Sequence, residues 1–155
     1  MRTLIISDIH ANLTAFEAVL ADAGSVDRVW CLGDVVGYGP DPNECIALLR
    51  QQPGLRCIMG NHDAAVLGFI DLRAFNEQAA KAVKIQSELL TQESHDFLEL
   101  LDIMIEEGQI TFAHGSPSDP IWEYIITSRS AVENFSAFQN SNLPGRSFTR
   151  ASHLW

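Results

Sequence analysis

The chain has 155 residues, 46% of them hydrophobic, with 10 Lys and Arg against 20 Asp and Glu. That length suits a single domain with a real core, and the net charge of −10 disfavours a nucleic-acid groove or an anionic membrane surface as partner, since both need a basic patch. The apolar runs are too short to span a membrane, and the N-terminal one is too short for a signal peptide.

Thr3 to Ile6 reads as a short strand. Asn12 predicts a helix cap, with Leu13, Phe16, Leu20 and Ala23 on one face and Gly24 as the stop. Arg28 to Leu32 is a second strand. Asp41 as cap and Pro42 at the first helical position open a helix to about Arg50. Arg56 to Met59 is a third strand. Residues 73 to 101 are helix-rich, with Phe75, Ala79, Ala82, Val83 and Ile85 in one apolar set and Phe97, Leu98 and Leu101 in the next. Asp102–Ile105 and Gln109–Ala113 flank a hairpin turn at Glu106-Glu107-Gly108. A last helix covers about Ser130 to Phe138. The alternation predicts an α/β fold with parallel strands at its centre. The three cysteines, Cys31, Cys45 and Cys57, lack metal spacing and read as reduced thiols of a cytoplasmic protein.

Polar residues with metal-binding chemistry follow the strands. The first strand runs into Ser7-Asp8-Ile9-His10, and the second into Gly33-Asp34. The third runs into Gly60-Asn61-His62-Asp63, and the strand ending at Ala113 into His114-Gly115. In open α/β sheets ligands bind beyond the carboxyl ends of the strands. Asp8, His10, Asp34, Asn61, His62 and His114 are therefore expected to converge on one edge. Carboxylate, imidazole and amide oxygen suit a borderline or hard divalent cation such as Mn²⁺, Fe²⁺ or Zn²⁺. Six such groups are too many for one open site and suggest two ions, an arrangement that fits phosphoryl chemistry. Each carboxylate taken alone could instead cap a helix, and each histidine could be structural. Gly37-Tyr38-Gly39 lacks the third glycine of a dinucleotide fingerprint. His114, Ser116 and Asp119 are too crowded for a triad. Trp30, Trp122, Tyr124 and Phe97 read as core or rim packing, and His95 and His153 as solvated. Tyr38 is expected at the mouth of the site.

Asp8-x-His10, Gly33-Asp34-x-x-Gly37, Gly60-Asn61-His62-Asp63 and His114-Gly115, in that order, resemble the signature of the calcineurin-like metallophosphoesterases. Residues 31–40 and 113–117 are similar to the small bacterial and archaeal phosphodiesterase-like branch. The resemblance implies an αββα sandwich, incomplete here at the C-terminus, with residues 1–138 as the N-terminal part of the domain. It implies that Asp8 and His10 hold one cation, that Asp34 bridges two, and that Asn61 and His114 hold the second. A hydroxide bridging the two ions would attack a phosphomonoester or phosphodiester. His62 would act at the leaving group as general acid or stabilise the transition state, and Asp63 would orient His62. The substrate would be a small phosphoester or nucleotide-like molecule. The competing reading is a catalytically inactive scaffold or binding protein of the same fold.

The family's last motif, Gly-His-x-His, is absent. Residues 139–155 are rich in Ser, Asn and Arg and are expected to form an aberrant, poorly ordered tail. Codons chosen for Leu143 to Leu154, read one base out of frame, spell Cys-Leu-Val-Gly-His-Ser-His-Val-Pro-Leu-Ile. That reading predicts a frameshift shortly before Leu143. A chain so shortened would lack one ligand for each cation, bind metal weakly, show impaired activity and expose apolar surface.

Overall fold

The computed structural model describes residues 1–108 and 110–141. Three strands, β1 (Thr3–Ile6), β2 (Arg28–Cys31) and β3 (Arg56–Cys57), form a parallel sheet in the order β1-β2-β3. Thr3 pairs with Arg28 and Ile6 with Cys31, while Trp30 and Cys31 pair with Arg56 and Cys57. Parallel neighbours need crossovers, here α1 (Leu13–Ala23) and α2 (Pro42–Arg50). Asn12 caps α1 by accepting from the Ala15 N–H, and Gly24, at φ +64°, closes it. Pro42 opens α2 as expected, but Asp41 makes no side-chain cap bond there. Its backbone N–H donates to Ala11 O instead, tying α2 to the loop after β1.

The third strand is shorter than the sequence predicts, because Gly60 and the α3 turn (Asn61–Val66) begin almost at once. Ile58 still forms a parallel bridge with Asp102. Asp102 therefore continues the sheet rather than starting a hairpin strand. The hairpin is β4 (Met104–Glu107) with β5 (Ile110–Ala113), antiparallel, its turn at Gly108. Gln109, expected in the second strand, lies outside the described residues. Between α3 and β4 run a 3₁₀ turn (Leu72–Ala74), α4 (Glu77–Leu89) and α5 (Gln92–Glu99), and α6 (Ser128–Ser141) follows β5. Phe75, grouped with the residues of α4 in the sequence, lies in the connection before that helix, and Ile85 lies on the exposed side of α4. The tail is expected to begin at residue 139, but α6 runs on through residues 139–141, and residues 142–155 lie outside the described residues.

Alternation along β2 builds two cores. Val29 and Cys31 face the helices and pack with Phe16, Ile46, Leu49, Val83 and Leu98. Trp30 faces the other way and packs with Ile58 and Phe112, its ring edge-on to Phe112 at 4.6 Å. Glu107 of β4 pairs with Arg28 at 3.2 Å and Arg56 at 3.3 Å, fastening the hairpin across the parallel sheet. The layers are thus helices, parallel sheet and hairpin, an α/β arrangement with every strand-end loop of the sheet on one edge. No helix among the described residues is long and apolar enough to cross a membrane.

Candidate metal centre

The loops after β1 and β2 run side by side beyond the sheet. Asp8 N–H donates to Gly33 O, His10 N–H to Asp34 O and Ala11 N–H to Val35 O, at 2.8–3.1 Å. Asp8, His10, Ala11, Asp34 and Tyr38 all have φ between +50° and +58°, and they are the non-glycine residues with positive φ among those described. L-residues adopt that conformation at a cost, so it persists only where surrounding bonds enforce it. Here the enforcement and the strain coincide with the residues singled out from sequence.

Asp63 supplies much of that enforcement. It is fully buried. One carboxylate oxygen accepts from Asp34 N–H at 2.8 Å and Gly60 N–H at 2.9 Å, the other from Val36 N–H at 3.1 Å. One side chain thus binds the second and third loops together. Its oxygens are spent on backbone N–H groups, and His62 Nδ1 is buried without a partner. Asp63 therefore fixes the peptide that carries His62, and no bond to the ring is formed.

Asp34 lies at the centre. Its Oδ1 accepts from His62 N–H at 2.9 Å. Its Oδ2 sits 3.7 Å from His10 Nε2 and 3.6 Å from His114 Nε2. Asp8 Oδ1 is 3.6 Å from His10 Nε2, and Asn61 Oδ1 is 3.1 Å from His114 Nε2. His10 Nδ1 lies 3.0 Å from Val36 O, and His114 Nδ1 lies 2.8 Å from Leu32 O. A carbonyl only accepts, so each Nδ1 carries a proton and each ring turns its Nε2 toward Asp34. Carboxylate oxygens, imidazole Nε2 atoms and an amide oxygen therefore converge around Asp34. That is a set of ligands for cations, and the residues fit the metals that the sequence implies. Asp8, Asp34 and His114 bring ligand atoms within 4.8 Å of one another, as do His10, Asp34 and His62. The six predicted residues converge, and His62 stands closer to the ligand set than its expected role at the leaving group requires.

The field of the site is negative. The hydrogen bond with His10 holds Asp8 down to about 2, against the opposing effect of burial. Burial disfavours the charged form of His10, but Asp8, Val36 O and Asp34 outweigh it and raise its pKa. Burial raises Asp34. Burial, then the charges of His10 and His114, push His62 down to about 4. His62 is accordingly a neutral imidazole near pH 7.

The sequence missed several supporting residues. Gln86 of α4 reaches under the 37–39 loop. Ser116, Glu123 and Asn134 form a polar cluster behind His114, with Ser116 donating to Glu123 and Asn134 Nδ2 donating to Glu123 at 2.8 Å. Phe75 packs edge-on to His62 at 5.0 Å and also meets Trp122. The signal for Gln86 was present, as a polar residue in register with Ala79 and Val83 on the buried stripe of α4. His95, expected to be solvated, is half-buried with its Nδ1 unpartnered.

The family model described as calcineurin-like phosphoesterase matches residues 1–151. A crystal structure of a metallophosphoesterase from Sphaerobacter thermophilus is 50% identical, with a TM-score of 0.78, over 88% of this chain and 56% of that one. An uncharacterized Methanocaldococcus jannaschii protein is 42% identical over 79% of this chain and 53% of its own. A Proteus mirabilis protein named symmetrical bis(5′-nucleosyl)-tetraphosphatase is 24% identical over 93% of this chain and 55% of its own. The chain spans about half the length of these relatives.

Proposed function

The chain belongs to the calcineurin-like phosphoesterase family, and from that premise we propose that it hydrolyses phosphomonoesters or phosphodiesters at a site for two divalent cations. Asp8, His10 and Asp34 would hold one ion, and Asp34, Asn61 and His114 the other. The observation that carries this reading is Asp34 Oδ2, nearly equidistant from two imidazole Nε2 atoms at 3.7 and 3.6 Å. A single carboxylate flanked in that way is placed to bridge. Mixed oxygen and nitrogen donors suit Mn²⁺, Fe²⁺ or Zn²⁺. Cations bound there would supply a water-derived nucleophile at neutral pH and offset the charge of the phosphate oxygens.

The chain's own groups divide the remaining work. Val36 O and Leu32 O hold the two imidazoles in the tautomer that presents Nε2. Asp63 holds the loop of His62 as a positioning residue. His62, neutral and buried, would offer an N–H to the leaving-group oxygen and so steady the charge that grows there. Burial around His62 and Asp34 excludes water and strengthens those contacts. The relatives named as bis(5′-nucleosyl)-tetraphosphatases favour a small nucleotide-like substrate, and the acidic surface favours neither nucleic acid nor membrane. The protein would work in the cytoplasm.

The test is hydrolysis of chromogenic phosphomonoesters and phosphodiesters, read as release of the alcohol, by the chain supplied with Mn²⁺, with bound metal counted after dialysis. Bound metal and turnover that both vanish in Asp34→Ala support the proposal. Metal binding without turnover on monoesters and diesters alike returns the chain to the class of binding proteins.

A further inference from the structure

Tyr38 is an aromatic residue at φ +54°, yet half of its surface, 50%, is exposed. A backbone strained in this way persists only where its surroundings hold it. The holder is Gln86. This side chain is 2% exposed and comes from α4. Its Oε1 accepts from Gly37 N–H at 2.6 Å, and its Nε2 donates to Gly39 O. The two bonds grip the residues on either side of Tyr38. Gly37 is pressed against His62 on the opposite side, where a Cβ would come within 2.8 Å of its Cγ. The Tyr38 ring packs against two site histidines, 4.8 Å from His10 and 4.8 Å from His62, which lie 4.7 Å from each other.

The ring also walls an open cleft of about 480 Å³. Asp8 and His10 close one end, and Ile6, Ile9, Phe16 and Val19 supply apolar lining. That volume suits a small organic ligand. The ion-paired arginines meet Glu107, Glu93, Asp71 and Glu133, none of them in the site. With a phosphate directed to the cation ligands, the organic part of a substrate must be held by this cleft and its aromatic wall. A flat, weakly polar group gains most from stacking there.

We propose that Tyr38 is a nucleobase platform, set in place by the buried Gln86 clamp on Gly37 and Gly39, and that the cleft beside Asp8 and His10 is the nucleoside subsite. This assignment rests on the phosphoesterase reading for its phosphate end and on the cleft alone for its base end. Tyr38 would touch the substrate, and Gln86 would act through it as a positioning residue.

Two measurements test it on the full chain. The first is adenosine binding by ligand-observed NMR, with ribose as control; it needs neither metal nor turnover. Adenosine is expected to bind with ribose silent. Tyr38→Asn, which tolerates positive φ but lacks the ring, is expected to weaken binding about tenfold, and Tyr38→Phe to restore it. Gln86→Met is expected to weaken it similarly, with the double variant no weaker than Tyr38→Asn, because both changes remove one platform. Adenosine binding unaffected by Tyr38→Asn, or no adenosine binding at all, overturns the subsite. A double variant whose losses add overturns the positioning role. The second measurement compares release of phosphate from adenosine 5′-monophosphate and ribose 5-phosphate with Mn²⁺. A preference for the first that disappears in Tyr38→Asn supports the platform, and equal use of both by the unaltered chain counts against it. Failure on both esters would count against the phosphoesterase reading, and the adenosine titration would still decide the subsite.

Discussion

Replacing Gly37 by alanine probes whether the site is as tightly built as its distances imply. Two costs add. The backbone sits at φ +95°, where an L-residue is strained by about 1–2 kcal/mol. The new methyl would also stand 2.8 Å from His62 Cγ and 3.2 Å from His10 Nδ1. His62 Nδ1 is nearer still, and ordinary contact begins near 3.4 Å, so the His62 ring must retreat by about an ångström. Such overpacking costs about 1–3 kcal/mol. Gly68→Ala is the control, because it has φ +78° and nothing within 4 Å of the added atom. It bears the backbone cost alone. Urea unfolding with linear extrapolation should place Gly68→Ala about 1–2 kcal/mol below the parent chain and Gly37→Ala a further 1–3 kcal/mol below that. Turnover should fall about tenfold in Gly37→Ala through displacement of His62, and stay unchanged in Gly68→Ala. Equal stability of the two variants, with equal turnover, would refute the contact argument.

Four other outcomes follow from the same geometry. Asp34→Asn should lower bound Mn²⁺ by at least about half relative to the parent chain, measured by elemental analysis after dialysis; unchanged metal content would remove Asp34 from the bridge. His62→Gln should cut turnover about a hundredfold with metal content unchanged, and loss of metal would make His62 a ligand. Asp63→Asn places an amide NH₂ against backbone N–H donors, so it should cost about 1–3 kcal/mol of stability in urea melts. In metal-free protein His62 titrates near 4 when folded and near 6.5 when unfolded. The unfolded chain then binds more protons, so this group removes stability as pH falls from about 6.5 toward 4. His62→Phe should flatten the stability-versus-pH slope in that window, and an unchanged slope would show that burial does not depress this imidazole.

The candidate ligands were legible because chemistry and topology coincide in the sequence. Asp8, Asp34 and Asn61 each stand two to four residues after a strand of the parallel sheet, whose strands deliver their carboxyl ends to one edge, while His114 follows β5 of the antiparallel hairpin. Asn12 and Pro42 were legible for the same local reason, since capping and fixed φ act within a few residues. What stayed hidden depends on partners far apart in the chain. Asp63 looks like a helix-start acid, but its oxygens answer N–H groups nearly 30 residues away. Asp41 looks like a cap, but Ala11 engages its backbone. Gln86 is one polar residue on a helix until the 37–39 loop arrives beneath it. The start of β4 shifted because Asp102 found a place beside Ile58, a pairing that no local period records.

The positive-φ residues carry a consequence for anyone trying to harden this protein. Routine stabilisation replaces strained residues with ones that relax them. Here the relaxable positions are Asp8, His10, Ala11, Asp34 and Tyr38. Most are proposed ligands or substrate contacts, and Ala11, wholly buried, is bonded into the same ladder of loops. Selection for heat resistance alone would therefore be drawn toward these two loops and would erode the centre they form. Selection for activity would keep them strained. An engineering campaign on this scaffold has to seek its gains elsewhere, on the exposed faces of α1 and α4, and hold residues 8–11 and 34–38 fixed.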